Sequence, residues 1–374
     1  MRPTFVLSVL LLCSVIGQSA PVEWDRERAV LEEHRIPHGP LPESHHTHAS
    51  TITEAADGTL IAAWFGGTRE NHQDVKIWSS RKQNSRAWSE PIIVDTGNRV
   101  VDGVQREFAC WNPVLITHPA GTIYLYYKIT GAGSQAGPRN WWGAVRTSFD
   151  HGQTWSDRIW LPTISTEGNK KVFLPYKGHL CGPVKNRPLI LPDGRLLCGS
   201  STETQHGWRV HFELYPANDW TGQRHEPEVV PPLLAGKEGI QPSFLVLSSD
   251  YQRLQVLTRE NGTTRSEDGG RTWSQVETSP IVTSRGLHVV TTKRRWHFLA
   301  FNSNDRRTPL SLARSRDGKK WETVLPELRK DGNKTMDYPT IMQSADGKLH
   351  IVHTYGRHFI NHLVLDTDYV SIDR

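Results

Sequence analysis

Sulfur is scarce in this chain of 374 residues, which carries only 4 cysteines and 3 methionines. Neither a CxxC pair nor an HExxH element occurs, so the usual frameworks for structural and catalytic zinc are missing. Cys13 lies inside the apolar run Phe5–Ile16, and processing after Ala20 would leave Cys110, Cys181 and Cys198, an odd set that permits at most one internal bridge. Beyond residue 20 no stretch approaches the roughly 18 apolar residues that cross a bilayer, so no membrane span is expected. Basic residues outnumber acidic ones by only 44 to 39, for a formal charge of +5, and form no block. A nucleic-acid partner is therefore not expected, because such proteins gather their basic residues on one face. A sustained 3.6-residue apolar period is also absent, which excludes a helical frame.

Met1–Ala20 has the layout of a signal peptide: Arg2, a short apolar run, then Gly17-Gln18-Ser19-Ala20. The mature protein is expected to be secreted or periplasmic, with residues 21–43 as a lead-in and 44–374 as a single domain. Hydrophobic residues make up 36%, enough for a thin core. The 14 tryptophans suit many amphipathic contact positions rather than helix packing.

A repeat organises the rest. Six segments share one plan, a polar opening residue, an apolar strand, a turn and further strands. They open at His48-Ala49-Ser50-Thr51-Ile52, Asn112-Pro113, Arg187-Pro188, Gln241-Pro242, near His288, and at Tyr338-Pro339. Asp57-Gly58, Asp193-Gly194 and Asp346-Gly347 mark hairpins between apolar runs. Ser148–Trp155 and Ser266–Trp273 both fit S-x-D-x-G-x-T-W, Ser315–Trp321 is one residue shorter, and Ser80–Trp88 is a decayed copy. In that motif the aspartate accepts from turn amides, glycine supplies positive φ and tryptophan packs beneath. Six repeats of roughly 59 residues predict an all-β, six-bladed β-propeller. A seventh blade would have to lie within 156–186, and the last strands, near Asn361–Val370, are expected to complete a blade begun at the N-terminus.

These motifs resemble the sialidase-like superfamily of Asp-box (BNR) repeat propellers from about Ser44 to Asp366. The likeness is to the branch carrying His48-Ala49-Ser50-Thr51-Ile52 with Trp64-Phe65-Gly66-Gly67, Cys110-Trp111-Asn112-Pro113 and Asn140-Trp141-Trp142-Gly143. The resemblance implies a carbohydrate-active enzyme without a cofactor, acting on an acidic oligosaccharide or polysaccharide. Sialidases hold the substrate carboxylate with three arginines, and use an aspartate as acid/base and a glutamate-activated tyrosine as nucleophile. Carried over by position, Asp74 is the acid/base, Tyr338 the nucleophile, Glu203 its partner (Glu213 and Glu260 competing), and Arg259 and Arg307 are two clamp arginines. The first arginine is missing. His34-Arg35-Ile36-Pro37 mimics its motif but lies too far upstream, and His48 stands where the arginine is expected.

The same face of a propeller, where inner strands open and second strands end, would also gather Trp111, Asn112, Lys128, Lys185, Asn186, Gln241, His353, Tyr355 and Arg357. So many charged and amide groups at the ends of apolar strands suggest an anionic ligand. Each has a plainer reading: Asp74 as a turn cap, Tyr338 as a core tyrosine, the arginines as surface ion pairs. Three functions follow. One is a sialidase-like exo-glycosidase for a carboxylated sugar. The others are a polysaccharide lyase that β-eliminates at a uronic acid and a glycan-binding propeller without catalysis.

Overall fold

The computed structural model describes residues 24–40, 42, 45–130, 140–164, 178–204, 207–230, 239–282 and 285–372. The expected signal peptide, 1–20, lies outside them. Six four-stranded antiparallel sheets form the blades of a β-propeller. Their innermost strands are His46–Glu54, Cys110–Thr117, Leu189–Ile190, Ile240–Val246, Leu287–Thr291 and Met336–Gln343, in blades 1 to 6. Each inner strand runs away from one face, which we call the opening face. A hairpin turn lies at its far end, on the turn face, and the second strand returns. A small extra hairpin, Arg99–Val101 with Val104–Arg106, joins blades 1 and 2.

The ring closes in the opposite sense to the sequence expectation. Strand Val30–Ile36 pairs antiparallel with Phe359–Leu365, with Arg35 opposite Asn361, and so completes blade 6 from outside. Residues 30–36 therefore belong to the propeller rather than to a lead-in. The C-terminal chain cannot reach back to blade 1 as a strand, because after Leu365 it enters the short helix Thr367–Ser371. Asp366 caps that helix, accepting from the amides of Asp368 and Tyr369. Arg35, the sialidase-motif mimic, sits on this outermost strand over Phe359, far from the axis.

The core is a set of wedges between neighbouring sheets rather than one central mass. Ile61, Phe65, Leu115, Leu125 and Tyr127 fill the wedge of blades 1 and 2, and Phe298, Leu312, Ile341 and Leu363 that of blades 5 and 6. Both sides of an inner strand are covered this way, which is why the inner strands of blades 1, 2, 4 and 6 are buried along nearly all their length.

The Asp-box hairpins join third to fourth strands on the turn face. In blade 2 the Asp150 carboxylate accepts from the Gln153 and Thr154 amides and the hydroxyls of Ser148 and Thr154, at 2.6–3.0 Å. Asp268 repeats the pattern in blade 4, and Asp317 holds the amides of Lys319 and Lys320 at 2.8 Å in blade 5. Burial works against the Asp150 charge, but these bonds more than offset it and bring its pKa down from 3.8 to about 2. A depressed carboxylate stabilises the fold above its unfolded value and loses that contribution as pH falls through its folded value. Asp150→Ala is therefore expected to cost about 1–2 kcal/mol in denaturant unfolding at neutral pH. The gap from wild type should close as pH drops from about 4 toward 2. A gap that stays constant in acid would contradict this role for the box.

Candidate functional site

The six hairpin turns provide a common frame. Each begins at a residue whose amide bonds back across the turn: Ala55, His118, Leu191, Leu247, Thr292 and Ser344. Six residues earlier, in blade order, stand Ala49, Asn112, Lys185, Gln241, Gly286 and Tyr338. All but the glycine have positive φ: 53°, 37°, 68°, 57° and 47°. The inner strands of blades 1, 2, 4 and 6 also slip register here. These are β-bulges in strained backbone, a feature that concentrates beside functional sites because it aims side chains away from the ladder. In blade 3 the opening residue is thus Lys185, not Arg187, and in blade 1 it is Ala49, with His48 one residue before.

Tyr338 is the centre of this tier. Its hydroxyl oxygen accepts from Gln241 Nε2 at 3.0 Å and from Arg259 Nη1 at 3.1 Å. Both donors come from blade 4, across the axis from the Tyr338 backbone in blade 6. His48 stacks on the phenol ring at 4.4 Å, and the Arg307 guanidinium lies 5.5 Å from the ring centre. Room for the tyrosine comes from the neighbouring opening: a Cβ on Gly286 would stand 2.9 Å from Tyr338 N and 3.0 Å from its Cα.

His48 is completely buried, and neither ring nitrogen has a hydrogen-bond partner among the described residues. Burial, then the charges of Arg357, Arg307, Lys185 and Arg259, push its pKa well below 6.5, so it is a neutral imidazole with one donor and one acceptor unused. Gln241 Oε1 and Asn186 Oδ1 are likewise buried without a partner. The Asn112 side chain also makes no hydrogen bond among the described residues. His48 stacks on Tyr338 and Gln241 bonds it, so the unused polar atoms of both stand beside the tyrosine, within reach of a polar ligand.

The arginines are held by carboxylates, of which the sequence reading singled out only Glu260, and in another role. Asp337, next to Tyr338 and 1% exposed, takes Arg307 at 2.6 Å and Arg357 Nε at 3.5 Å. Burial opposes the Arg307 charge, but Asp337 outweighs it and raises the pKa. Glu70 takes the other end of Arg357 at 2.6 Å, and Glu260 takes Arg259 Nε at 3.2 Å. The loop carrying Glu70, residues 69–73, borders an open cavity of about 580 Å³.

Other expected site residues take supporting positions. Lys185 Nζ, 2% exposed, donates to the Leu287 carbonyl at 2.9 Å and to the Pro339 carbonyl, bracing blade 3 against blades 5 and 6. Lys128 similarly donates to Pro183, and burial lowers its pKa to about 8. Asn186 Nδ2 donates to the Gln241 carbonyl at 2.7 Å, fixing the strained bulge. Trp111 is buried between Phe65 and Trp141 with its Nε1 on Thr130, so it walls the site rather than facing a ligand. His353 is buried in blade 6, and Tyr355 bonds Asp331 at the rim.

Asp74 and Glu203 do not join Tyr338 in this conformation. Burial would raise the Asp74 pKa, but the Thr68 hydroxyl at 2.7 Å, His72 at 2.7 Å and the Thr68 amide hold it below the usual value. Glu203 stands one residue before the end of the second strand of blade 3, Leu196–Thr204, paired with Trp208, whose ring lies 5.7 Å from the Arg259 guanidinium. Glu213, the competing choice, is wholly buried beneath the Cys181 and Gly182 amides, His211 and Tyr215.

The closed ring of six four-stranded sheets is a β-propeller with the fold of sialidases. Residues 58–351 match the BNR repeat-like domain, and the chain belongs to that family. No curated protein sequence matches the chain. A protein of unknown function from Dyadobacter fermentans superposes with a TM-score of 0.70 at 16% identity, over 90% of this chain and 98% of its own. The intramolecular trans-sialidase of Ruminococcus gnavus gives 0.65 at 13%, over 92% and 99%. The NanB sialidase of Streptococcus pneumoniae, as a K499G mutant, gives 0.64 at 12%, over 87% and 69%. At these identities the likeness is one of fold.

The close approach of Gly286 generates a test. Gly286→Ala should displace the Tyr338 backbone and cost about 1–3 kcal/mol in unfolding free energy, as overpacking does. An alanine variant as stable as wild type would contradict the geometry of this tier.

Proposed function

We propose that the protein is a secreted glycosidase that cleaves the glycosidic bond of a carboxylated sugar, with Tyr338 as the reacting group. The observation that carries this reading is the Tyr338 oxygen accepting from Arg259 and Gln241 together. With two donors on its oxygen, negative charge developing there is stabilised in place, and the phenolic proton is left to be taken by another group. A phenol suits attack at an anomeric carbon that bears a carboxylate, because a carboxylate nucleophile would be repelled.

In this reading Tyr338 attacks the anomeric carbon, Glu203 takes its proton, and Asp74 protonates the leaving oxygen once the Thr68–Asp74 loop releases it. The substrate carboxylate binds Arg259 and Arg307, with Arg357, Gln241, Asn112 and His48 contributing polar contacts. Asp337 and Glu70 keep the arginine planes in fixed orientations, which favours two-point binding of a carboxylate. An anionic ligand agrees with two structural neighbours: the R. gnavus protein is in complex with oseltamivir carboxylate, and NanB with a substituted ethanesulfonate.

A second reading has its own support. His48 is neutral and stacks on Tyr338, and among the described residues it has no hydrogen-bond partner and no carboxylate bonds the phenol. That set also suits β-elimination at a uronic acid, in which an arginine-bound carboxylate acidifies the neighbouring C–H and a His/Tyr pair moves the protons.

Turnover of a panel of acidic glycans, read both as new reducing ends and as ultraviolet absorbance of an unsaturated product, separates the two. Hydrolysis gives reducing ends without the absorbance. Tyr338→Phe should lower turnover by at least about 10²-fold with thermal stability retained, and Asp74→Ala should likewise impair it. Full activity in the Asp74→Ala protein would defeat the glycosidase scheme.

A further inference from the structure

The axis has a second mouth, on the turn face. Four residues before each turn, one tier below the tyrosine, stand Thr51, Val114, Arg187, Ser243, His288 and Thr340. Most of these stitch one inner strand to the next. Thr51 Oγ1 accepts from Leu115 N, Ser243 Oγ from Val289 N and His288 Nδ1 from Ile341 N, at 2.9–3.1 Å, while Thr340 donates to the Ser50 carbonyl at 2.8 Å. Valine, threonine and serine are small, apolar or self-satisfied choices for a crowded axis. Arginine is not.

Arg187 nonetheless occupies that position in blade 3, and its guanidinium makes no hydrogen bond or ion pair among the described residues. It is enclosed by protein yet keeps surface toward a cavity of about 390 Å³ that opens on the turn face. Burial lowers its pKa to about 10, partly countered by the field of Glu54, whose carboxylate is engaged with the Ala345 amide at 2.7 Å. Lys293 and Arg295 stand at the mouth of the same cavity, and none of the described residues that line it is acidic. Its one histidine, His288, is neutral: burial and then Lys185 and Arg187 hold its pKa well below 6.5. The remaining walls are largely apolar, among them Ile116, Leu189, Phe244, Val246 and Ile341.

A half-buried guanidinium with no acid on it keeps its donors free for a ligand in the cavity it faces. We propose that this turn-side mouth is a second ligand site, which binds a small organic anion with its oxyanion on the Arg187 guanidinium and its apolar body against the Phe244–Ile341 wall. The site is separate from the tyrosine-centred opening and makes no claim on the reaction there. Guanidinium geometry selects a planar or tetrahedral oxyanion, held at two points. The apolar walls favour an aryl or alkyl carboxylate over a bare inorganic ion.

Calorimetric titration of the full chain with 4-iodobenzoate, alongside inorganic phosphate, tests the assignment. Binding of the aryl carboxylate should exceed that of phosphate and should fall by at least about tenfold in Arg187→Gln, as expected for loss of a charge-assisted bond. Tyr338→Phe should leave that binding unchanged. Should Arg187→Gln not fold, a crystal of the wild-type protein soaked in 4-iodobenzoate decides independently, with the iodine expected against Phe244 and Ile341. Absence of binding at millimolar ligand would overturn the proposal. So would affinity indifferent to Arg187, phosphate binding as tightly as the aryl carboxylate, or iodine found only at the opening face.

Discussion

Pairing of Val30–Ile36 with Phe359–Leu365 is the contact on which the rest of the molecule depends. An open fan of six sheets would leave two exposed apolar faces and no fixed axis. Joining the first strand to the last blade ties the two ends of the fan together, so that blade 6 packs face to face on blade 1 and the inner strands are held in a ring. Only within that ring do groups far apart in sequence keep hydrogen-bond distances, such as Tyr338 with Gln241 and Arg259, or Thr340 with Ser50. The site is a consequence of closure.

Crowding at the axis then shapes the chemistry. Six inner strands cannot all send large side chains to the same level, so the tyrosine tier mixes one large ring with Ala49 and Gly286. The bulges that carry Asn112, Gln241 and Tyr338 cost backbone strain, which Lys185 and Asn186 offset by tying down the carbonyls of Pro339, Leu287 and Gln241. Charge follows the same logic. Asp337, Glu70 and Glu260 let three arginines share a confined space, and the combined positive field, added to burial, keeps His48 uncharged. A fixed, largely buried, cationic surround of this kind is the setting in which a phenol oxygen can carry developing charge.

Much of this was legible in the chain, and the exceptions have physical causes. The Asp-Gly turns and the two complete S-x-D-x-G-x-T-W boxes are local signals whose residues satisfy one another within a few positions, so they survive any change elsewhere and reveal the propeller. The polar residue before proline at Asn112, Gln241 and Tyr338 marked the strained openings. Lys185 was legible as polar but not as a brace, because its acceptors, Leu287 and Pro339, lie in other blades and only ring closure brings them near. Asp337 and Glu70 escaped notice for the same reason. Counting a constant six residues back from each turn would have placed Lys185 rather than Arg187 at the blade 3 opening. The sense of closure escaped too, since the strand Val30–Ile36, polar on its exposed side, shows little of an inner strand's pattern.

The central claim is that the Tyr338 oxygen forms a bond to the sugar. A carboxylated glycosyl fluoride with a second fluorine beside the anomeric carbon slows release of a glycosyl–enzyme intermediate, so peptide mass spectrometry after acid quenching can locate the bond. The account predicts a sugar adduct on the peptide containing Tyr338, absent in Tyr338→Phe. An adduct on another residue, or turnover to an unsaturated product with no adduct at any time, would contradict it.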